Sequence, residues 1–294
     1  MSVRLLDNRD RQILEKFLSP HKAQCMFICS NLQKAGVDYQ DEMFQGEYFG
    51  SFNKELDQIE GIIVHYWNGN IMMLCPDLRI LNNLIDVLSQ HITRPVAGIL
   101  GEYIQAEFVI NKLNLSGADY AANENEGLYT INTSELLDLP MPSNFKSVEA
   151  NQVAKITLRN WIKNYEIEAL GAEDYKDLES RVKDKVTRLR SGDCWVLLKD
   201  EVPVHLSAFN ARIDGMVQIG PVWTPPEYRN QGFAKMLLVQ NLIKAREQGV
   251  TEAILFASDS AAISAYTAVG FRMIGNYRLA ILRKEVELKF DINI

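Results

Sequence analysis

The chain has 294 residues, of which 47% are hydrophobic, 23% charged and 9% aromatic, and its formal net charge is −7. That apolar content argues against a disordered, collagen-like or low-complexity chain, and the acidic balance argues against sequence-independent nucleic-acid binding, which rests on neutralising phosphates. The charge is uneven, −9 over residues 1–145 and +2 over 146–294, so a small anionic ligand is better served by the second half. No apolar run nears the ~18 residues that span a bilayer. The first ten residues lack the apolar stretch of a signal peptide. The expectation is a cytoplasmic protein of about two domains, with no membrane or nucleic-acid partner. Cys25, Cys29, Cys75 and Cys194 form no C-x-x-C pair and read as buried free thiols. His21, His65, His91 and His205 show no metal-ligand spacing, so no metal is expected.

In chain order, Tyr48 to Phe52, Gly61 to Trp67 and Asn70 to Cys75 read as strands. A loop at Pro76-Asp77 follows, then a helix over Leu81 to His91, a strand over Pro95 to Leu100 and a helix over Tyr103 to Leu113. Leu139-Pro-Met-Pro-Ser-Asn144 reads as a linker, because its prolines stop regular structure. It predicts domains over 1–140 and 146–294. In the second, two charged amphipathic helices (Val153 to Tyr165, Tyr175 to Leu189) precede strands at Cys194 to Leu198, Val202 to Asn210 and Met216 to Thr224. A loop, Pro225 to Gly232, leads into a helix that Gly249 closes. A strand over Glu252 to Ala257 precedes a short helix capped by Asp259. Phe271 to Ile274 and Tyr277 to Arg283 read as a terminal hairpin or strand pair. The order predicts an α/β (α+β) protein with a mixed, mostly antiparallel sheet flanked by helices. Pro76-Asp-Leu-Arg79 and Pro226-Glu-Tyr-Arg229 lie 150 residues apart and are followed by the same elements, which predicts an internal duplication.

The chemistry concentrates in Val222-Trp-Thr-Pro-Pro-Glu-Tyr-Arg-Asn-Gln-Gly-Phe-Ala-Lys235. A strand runs into a loop that opens a helix. Gly232 lets a ligand approach the backbone without meeting a Cβ. The free N–H groups of the first helical turn suit a diphosphate, Arg229 adds a forked cationic donor, and Ala234 keeps the turn narrow. Arg229-x-x-Gly232-x-Ala234, followed by Tyr266-Thr-Ala-Val-Gly270-Phe271, resembles the GNAT superfamily of N-acetyltransferases over roughly residues 150–285. The layout of the whole chain is similar to a tandem form with a degenerate first half.

The resemblance implies acetyl-CoA as cosubstrate. It implies that Val222, Trp223 and Thr224 run beside the pantetheine arm, and that Arg229, Asn230, Gln231, Gly232, Phe233, Ala234 and Lys235 hold the diphosphate. Asp259 stands where such enzymes commonly carry a cofactor-contacting Asn. It is also a good helix N-cap, and both roles stay open. Tyr266 matches the usual general acid, a phenol of pKa ~10 that can protonate the departing thiolate. Some relatives carry a glutamate on the strand before the short helix, but Ala253-Ile-Leu-Phe-Ala257 holds no acid. Glu166 is then the candidate base, with Glu168 beside it and His205 as a weaker one. In the first half Asn82 and Leu84 replace the loop glycine and small residue. Leu84 would crowd a phosphate, so residues 1–140 are expected to serve a structural role and not to bind acetyl-CoA. The acidic first half favours a cationic acceptor, an amine-bearing small molecule or peptide, for an enzyme acting as monomer or homodimer. The alternative is a non-catalytic acyl-CoA sensor or interaction module.

Overall fold

A computed structural model of the protein describes residues 2–137, 139–171 and 178–288. The first run of elements is β1 (Ser2–Leu5), α1 (Arg11–Leu18), α2 (Met26–Ala35), β2 (Gly46–Phe52), β3 (Ile59–Tyr66), β4 (Asn70–Leu74), α3 (Leu78–His91), β5 (Val96–Glu102), α4 (Tyr103–Lys112) and β6 (Tyr120–Asn132). The second run is β7 (Phe145–Glu149), α5 (Lys155–Leu170), α6 (Leu178–Arg190), β8 (Cys194–Lys199), β9 (Val202–Ile213), β10 (Met216–Trp223), α7 (Phe233–Glu247), β11 (Glu252–Ala257), α8 (Ser260–Thr267) and β12 (Arg272–Val286). One strand, two helices, three strands, helix, strand, helix, strand thus occurs twice. The expected duplication is present as a repeat of architecture.

Packing divides the chain at places that composition does not mark. One compact unit comprises Met1–Glu126 with Gly275–Ile294, and the other is Gly127–Ile274. The chain leaves the first unit within β6 and returns within β12. The proline-rich segment at 139–144 therefore lies inside the second unit, as the connection from β6 to β7, and does not separate the two. The expected terminal hairpin is also a single strand. Gly275 and Asn276 look like a turn in sequence, but β12 runs through them and pairs antiparallel with β5, Tyr277 opposite Glu102 and Leu279 opposite Leu100. The start of the second charged helix, Tyr175, falls outside the described residues.

In the first unit the sheet order is β1-β2-β3-β4-β5-β12, antiparallel except for β4 beside β5. Helix α3 covers one face because Ile80, Leu81, Leu84, Ile85 and Leu88 recur at three-to-four spacing and bury against Phe49, Ile63, Ile71 and Ile99. Each such side chain contributes about 1.5–3 kcal/mol through burial. In the second unit the order is β6-β11-β10-β9-β8-β7, again antiparallel except for β10 beside β11. Alternation along the strands separates two cores. Val217, Ile219, Ala253 and Leu255 pack under α7 and α8 with Leu238 and Leu242. Val196, Leu206, Ala208 and Trp223 pack against Leu158, Trp161 and Ile162 of α5 and Val182 of α6. Among the described residues no group of three or more His, Cys, Asp or Glu gathers as a metal site, and no helix is long and apolar enough to cross a membrane.

Candidate functional site

The parallel pair β10–β11 is the one place in the second unit where neighbouring strands stop pairing early. Met216, Val217 and Gln218 face Glu252, Ala253 and Ile254, and the ladder ends there. The cause lies on the other edge of β10. Its register with β9 shifts after Gln218 and again between Ile219 and Val222, and Pro221 has no N–H to give. A bulged strand bends, so β10 and β11 form a wedge closed at Gln218 and open towards their C-terminal ends. Open α/β sheets bind ligands at that end.

The mouth of the wedge is lined by the loop into α7. A short 3-10 turn at Pro226–Tyr228 precedes two left-handed residues, Asn230 (φ 61°) and Gly232 (φ 77°). Gly232 is the N-cap of α7 and no side chain bonds to the first-turn amides. A Cβ built on Gly232 meets nothing within 4 Å. The glycine is required by its backbone conformation, and the space in front of the helix is open. The result is a set of unpaired N–H groups with the positive end of a 15-residue helix behind them, the arrangement that suits a diphosphate. Arg229 leans over this mouth. Its Nε donates to the Thr224 carbonyl at 3.1 Å, its Nη2 lies 2.8 Å from Glu168 Oε1, and its guanidinium sits 5.1 Å from the centre of the Trp223 ring. Asn230 and Gln231 are exposed, and Ala234 and Lys235 half-buried. Phe233 is anchored in a small core with Leu197, Val204 and Leu237.

The remaining expected residues spread around the wedge. Val222 and Thr224 are half-buried on β10 and its exit. Trp223 is buried, with Nε1 unpartnered. Asp259 caps α8, accepting the Ala262 N–H at 2.9 Å. Tyr266 is buried at 7% exposure beside Phe271, ring centres 6.1 Å apart, in the core under α7 and α8.

Of the proton acceptors considered from the sequence, Glu166 and Glu168 are held in ion pairs, and His205 is buried with its Nε2 unpartnered. Glu166 is buried on α5, 2.6 Å from Lys185 Nζ and 3.9 Å from Arg181. Burial lowers the Lys185 pKa while Glu166 opposes that shift. Glu168 holds Arg229. His205 is fully buried, its Nδ1 2.7 Å from the Thr224 hydroxyl, and burial pushes its pKa down to about 3. At neutral pH that imidazole is uncharged and too weak a base to take a proton from an amine, so it serves to orient Thr224.

Sequence reading passed over Gln218, a 4% exposed polar side chain on an otherwise apolar strand. The signal was there, an amide among Val217, Ile219 and Val222, but the wedge that gives it meaning was not. Sequence reading also misjudged the first unit's counterpart. Helix α3 begins at Leu78, so Asn82 and Leu84 lie inside the helix, and Leu84 is fully buried in the core and faces no phosphate. What fills that helix N-terminus is Asp77. Its carboxylate accepts the Arg79 N–H at 2.8 Å and pairs with the Arg79 guanidinium at 2.6 Å. The equivalent end of α7 has no such internal anion.

The model of the Acetyltransferase (GNAT) family matches residues 155–271. The match spans 117 of the 294 residues. Among solved structures, a GCN5-related N-acetyltransferase from Sphaerobacter thermophilus shares 13% identity, covering 99% of this chain and 97% of its own, with TM-score 0.56. A GCN5-related N-acetyltransferase from Kribbella flavida shares 15% identity over 76% of this chain and 87% of its own, with TM-score 0.52. A Drosophila protein shares 8% identity over 95% and 98%, with TM-score 0.62. At these identities the likeness is one of fold. No curated protein matches the chain. The family match over this segment supports acyl-CoA-dependent acyl transfer in general terms.

Proposed function

We propose that the second unit is an acetyl-CoA-dependent N-acetyltransferase that acts on a primary amine by direct attack in a ternary complex. The observation that carries this reading is the uncapped first turn of α7 behind Gly232, at the open end of the β10–β11 wedge. In this reading the amides of Phe233, Ala234 and Lys235 bind the diphosphate, with Arg229, Asn230 and Gln231 at its flank. Val222, Trp223 and Thr224 line the pantetheine arm with backbone that no strand pairs on the β11 side. Asp259 fixes the start of α8 and thereby the placement of Tyr266. A strand amide beside the wedge stabilises the oxyanion that forms on the thioester carbonyl. The amine nitrogen bonds to the carbonyl carbon and gives up a proton to water, the C–S bond breaks, and the Tyr266 hydroxyl protonates the thiolate and regains its proton from solvent. The acceptor is an amine-bearing small molecule or peptide. The first unit binds no acetyl-CoA in this reading, because Asp77 occupies the helix end a phosphate would need.

A second reading, an acyl-CoA-binding module without transfer, is favoured by one observation: Glu166 and Glu168 are ion-paired and burial holds His205 neutral, which leaves no ready base among them. A titration with acetyl-CoA and a thiol-release assay over an amine panel separate the two. Transfer predicts turnover that Tyr266→Phe cuts on the order of 100-fold with acetyl-CoA affinity unchanged. Binding without thiol release from any amine supports the module instead, and full turnover by Tyr266→Phe removes the acid assignment.

A further inference from the structure

Gln218 closes the wedge, and half of its amide has nothing to bond. It is the last β10 residue paired with β11, opposite Ile254, and the first register shift with β9 follows it directly. Its neighbours Val217 and Ile219 turn into the core under α7 and α8, so the Gln218 side chain stands on the opposite face, the face α5 covers. Nε2 donates to the Ile219 carbonyl at 2.6 Å. That bond fixes which end of the amide is oxygen, because the reverse assignment would set two acceptors against each other. Oε1 is buried and has no partner. A buried carbonyl oxygen left unpaired is costly, and this one belongs to the last residue of β10 that pairs with β11.

Resting on the acetyl-transfer reading, we propose that Gln218 Oε1 accepts a hydrogen bond from the acceptor's N–H, aims the nitrogen lone pair at the thioester, and so selects weakly basic amines that arrive neutral. A carboxamide accepts a hydrogen bond but takes no proton. Three charged groups on the neighbouring elements are held: Arg212 of β9 by Asp193 at 2.8 Å, Glu252 of β11 by the Thr130 hydroxyl of β6 at 2.6 Å, and Glu166 of α5 by Lys185 of α6 at 2.6 Å, while burial raises the Glu126 carboxyl of β6. In this proposal the proton that the attacking nitrogen sheds after the C–N bond forms goes to water and not to Glu126, while Tyr266 protonates the departing thiolate. At pH 7 an α-amine of pKa ~8 is about 10% neutral, whereas a lysine-type amine of pKa ~10.4 is neutral only in roughly one molecule in 2,500. Availability alone separates the two classes by about 100-fold or more in kcat/KM.

The test uses the full-length protein with glycinamide as the weakly basic probe and Nα-acetyl-lysinamide as the strongly basic one. The wild type is expected to prefer glycinamide by about 100-fold at pH 7, with kcat/KM rising with pH up to the amine's own pKa. Gln218→Leu is expected to keep acetyl-CoA affinity within twofold and to lose at least tenfold in kcat/KM for glycinamide. Gln218→Glu is expected to narrow the preference by restoring Nα-acetyl-lysinamide. Unchanged glycinamide kinetics in Gln218→Leu overturn the proposal. So does a wild-type preference for the lysine amine, or a plateau near pH 7 that Glu126→Gln abolishes; burial has pushed the Glu126 carboxyl up to about 7. A wild type that releases no thiol with either amine overturns the transfer reading itself, and this inference with it.

Discussion

Replacing Gly232 with alanine separates the cost of a strained backbone from the cost of an obstructed anion site. The glycine sits at φ 77° and ψ 8°, and a Cβ there meets no atom within 4 Å. The methyl group therefore clashes with nothing in the protein, and the folded state carries only the left-handed penalty, about 1–2 kcal/mol. For a unit of this size that corresponds to a fall of roughly 2–6 °C in Tm. Free and ligand-bound protein share this strain, so it cancels in a dissociation constant. The new methyl does not cancel if a diphosphate lies where its oxygens accept from the first α7 amides at ~2.9 Å, because a carbon in that space holds the phosphate off. Acetyl-CoA affinity is then expected to weaken at least tenfold, about 1.4 kcal/mol. Calorimetric titration with acetyl-CoA and thermal unfolding of the same Gly232→Ala preparation supply both numbers. The expected Tm drop with a Kd within twofold of wild type would refute the placement of the diphosphate at this turn.

Other outcomes follow from the same contacts. Calorimetry should give one acetyl-CoA per chain, and Asp77→Ala should cost the α3 cap about 1 kcal/mol in urea unfolding; two equivalents in the wild type would overturn the self-capped reading of α3. Glu168→Gln frees Arg229 from an exposed ion pair worth under ~1 kcal/mol, so Tm should stay within about 2 °C while acetyl-CoA binding tightens a few-fold; weakened binding would mean that Glu168 positions Arg229 instead of competing for it. Acid sensitivity should come from two buried imidazoles. Burial lowers His65 to about 4 and His205 to about 3, below the ordinary ~6.5, so the unfolded chain takes up these protons first. Their stabilisation is complete above pH ~6.5 and is lost as the pH falls towards 4 and 3. At pH 5 each costs its unit about 2 kcal/mol, and denaturation midpoints equal at pH 7.5 and pH 5 would refute this.

Most elements of the second unit were legible because their signals are local. The three-to-four spacing in Phe233–Glu247, the apolar run Glu252–Ala257 and the Asp259 cap each specify an element without distant partners. Strand β6 was not legible. Tyr120-Ala-Ala-Asn-Glu-Asn-Glu-Gly127 shows no apolar alternation, and its pairing with β11, Gly127 opposite Ala257 through Asn132 opposite Glu252, joins residues more than a hundred positions apart. Strand β12 failed for a related reason. Gly275-Asn276 carries turn chemistry, but the ladder with β5 holds the chain extended beyond it. At the site, Arg229, Gly232 and Asp259 could be read from spacing. The engagement of Glu166 with Lys185, and of Glu168 with Arg229, could not, since those pairs depend on how α5 lies beside α6 and beside the loop.

Taken alone, the sequence determined most elements of the second unit, the left-handed glycine before α7 and the charged residues around it, because helix periodicity, caps and positive-φ turns depend on neighbours within a few positions. The tertiary structure decided three other things: that the helix end in the first unit is filled by Asp77 while α7 stays open, that β10 and β11 part at Gln218, and that the first unit is completed by a strand from the far end of the chain. These depend on which backbone groups find partners across the sheet, and that is settled only when distant segments pack together.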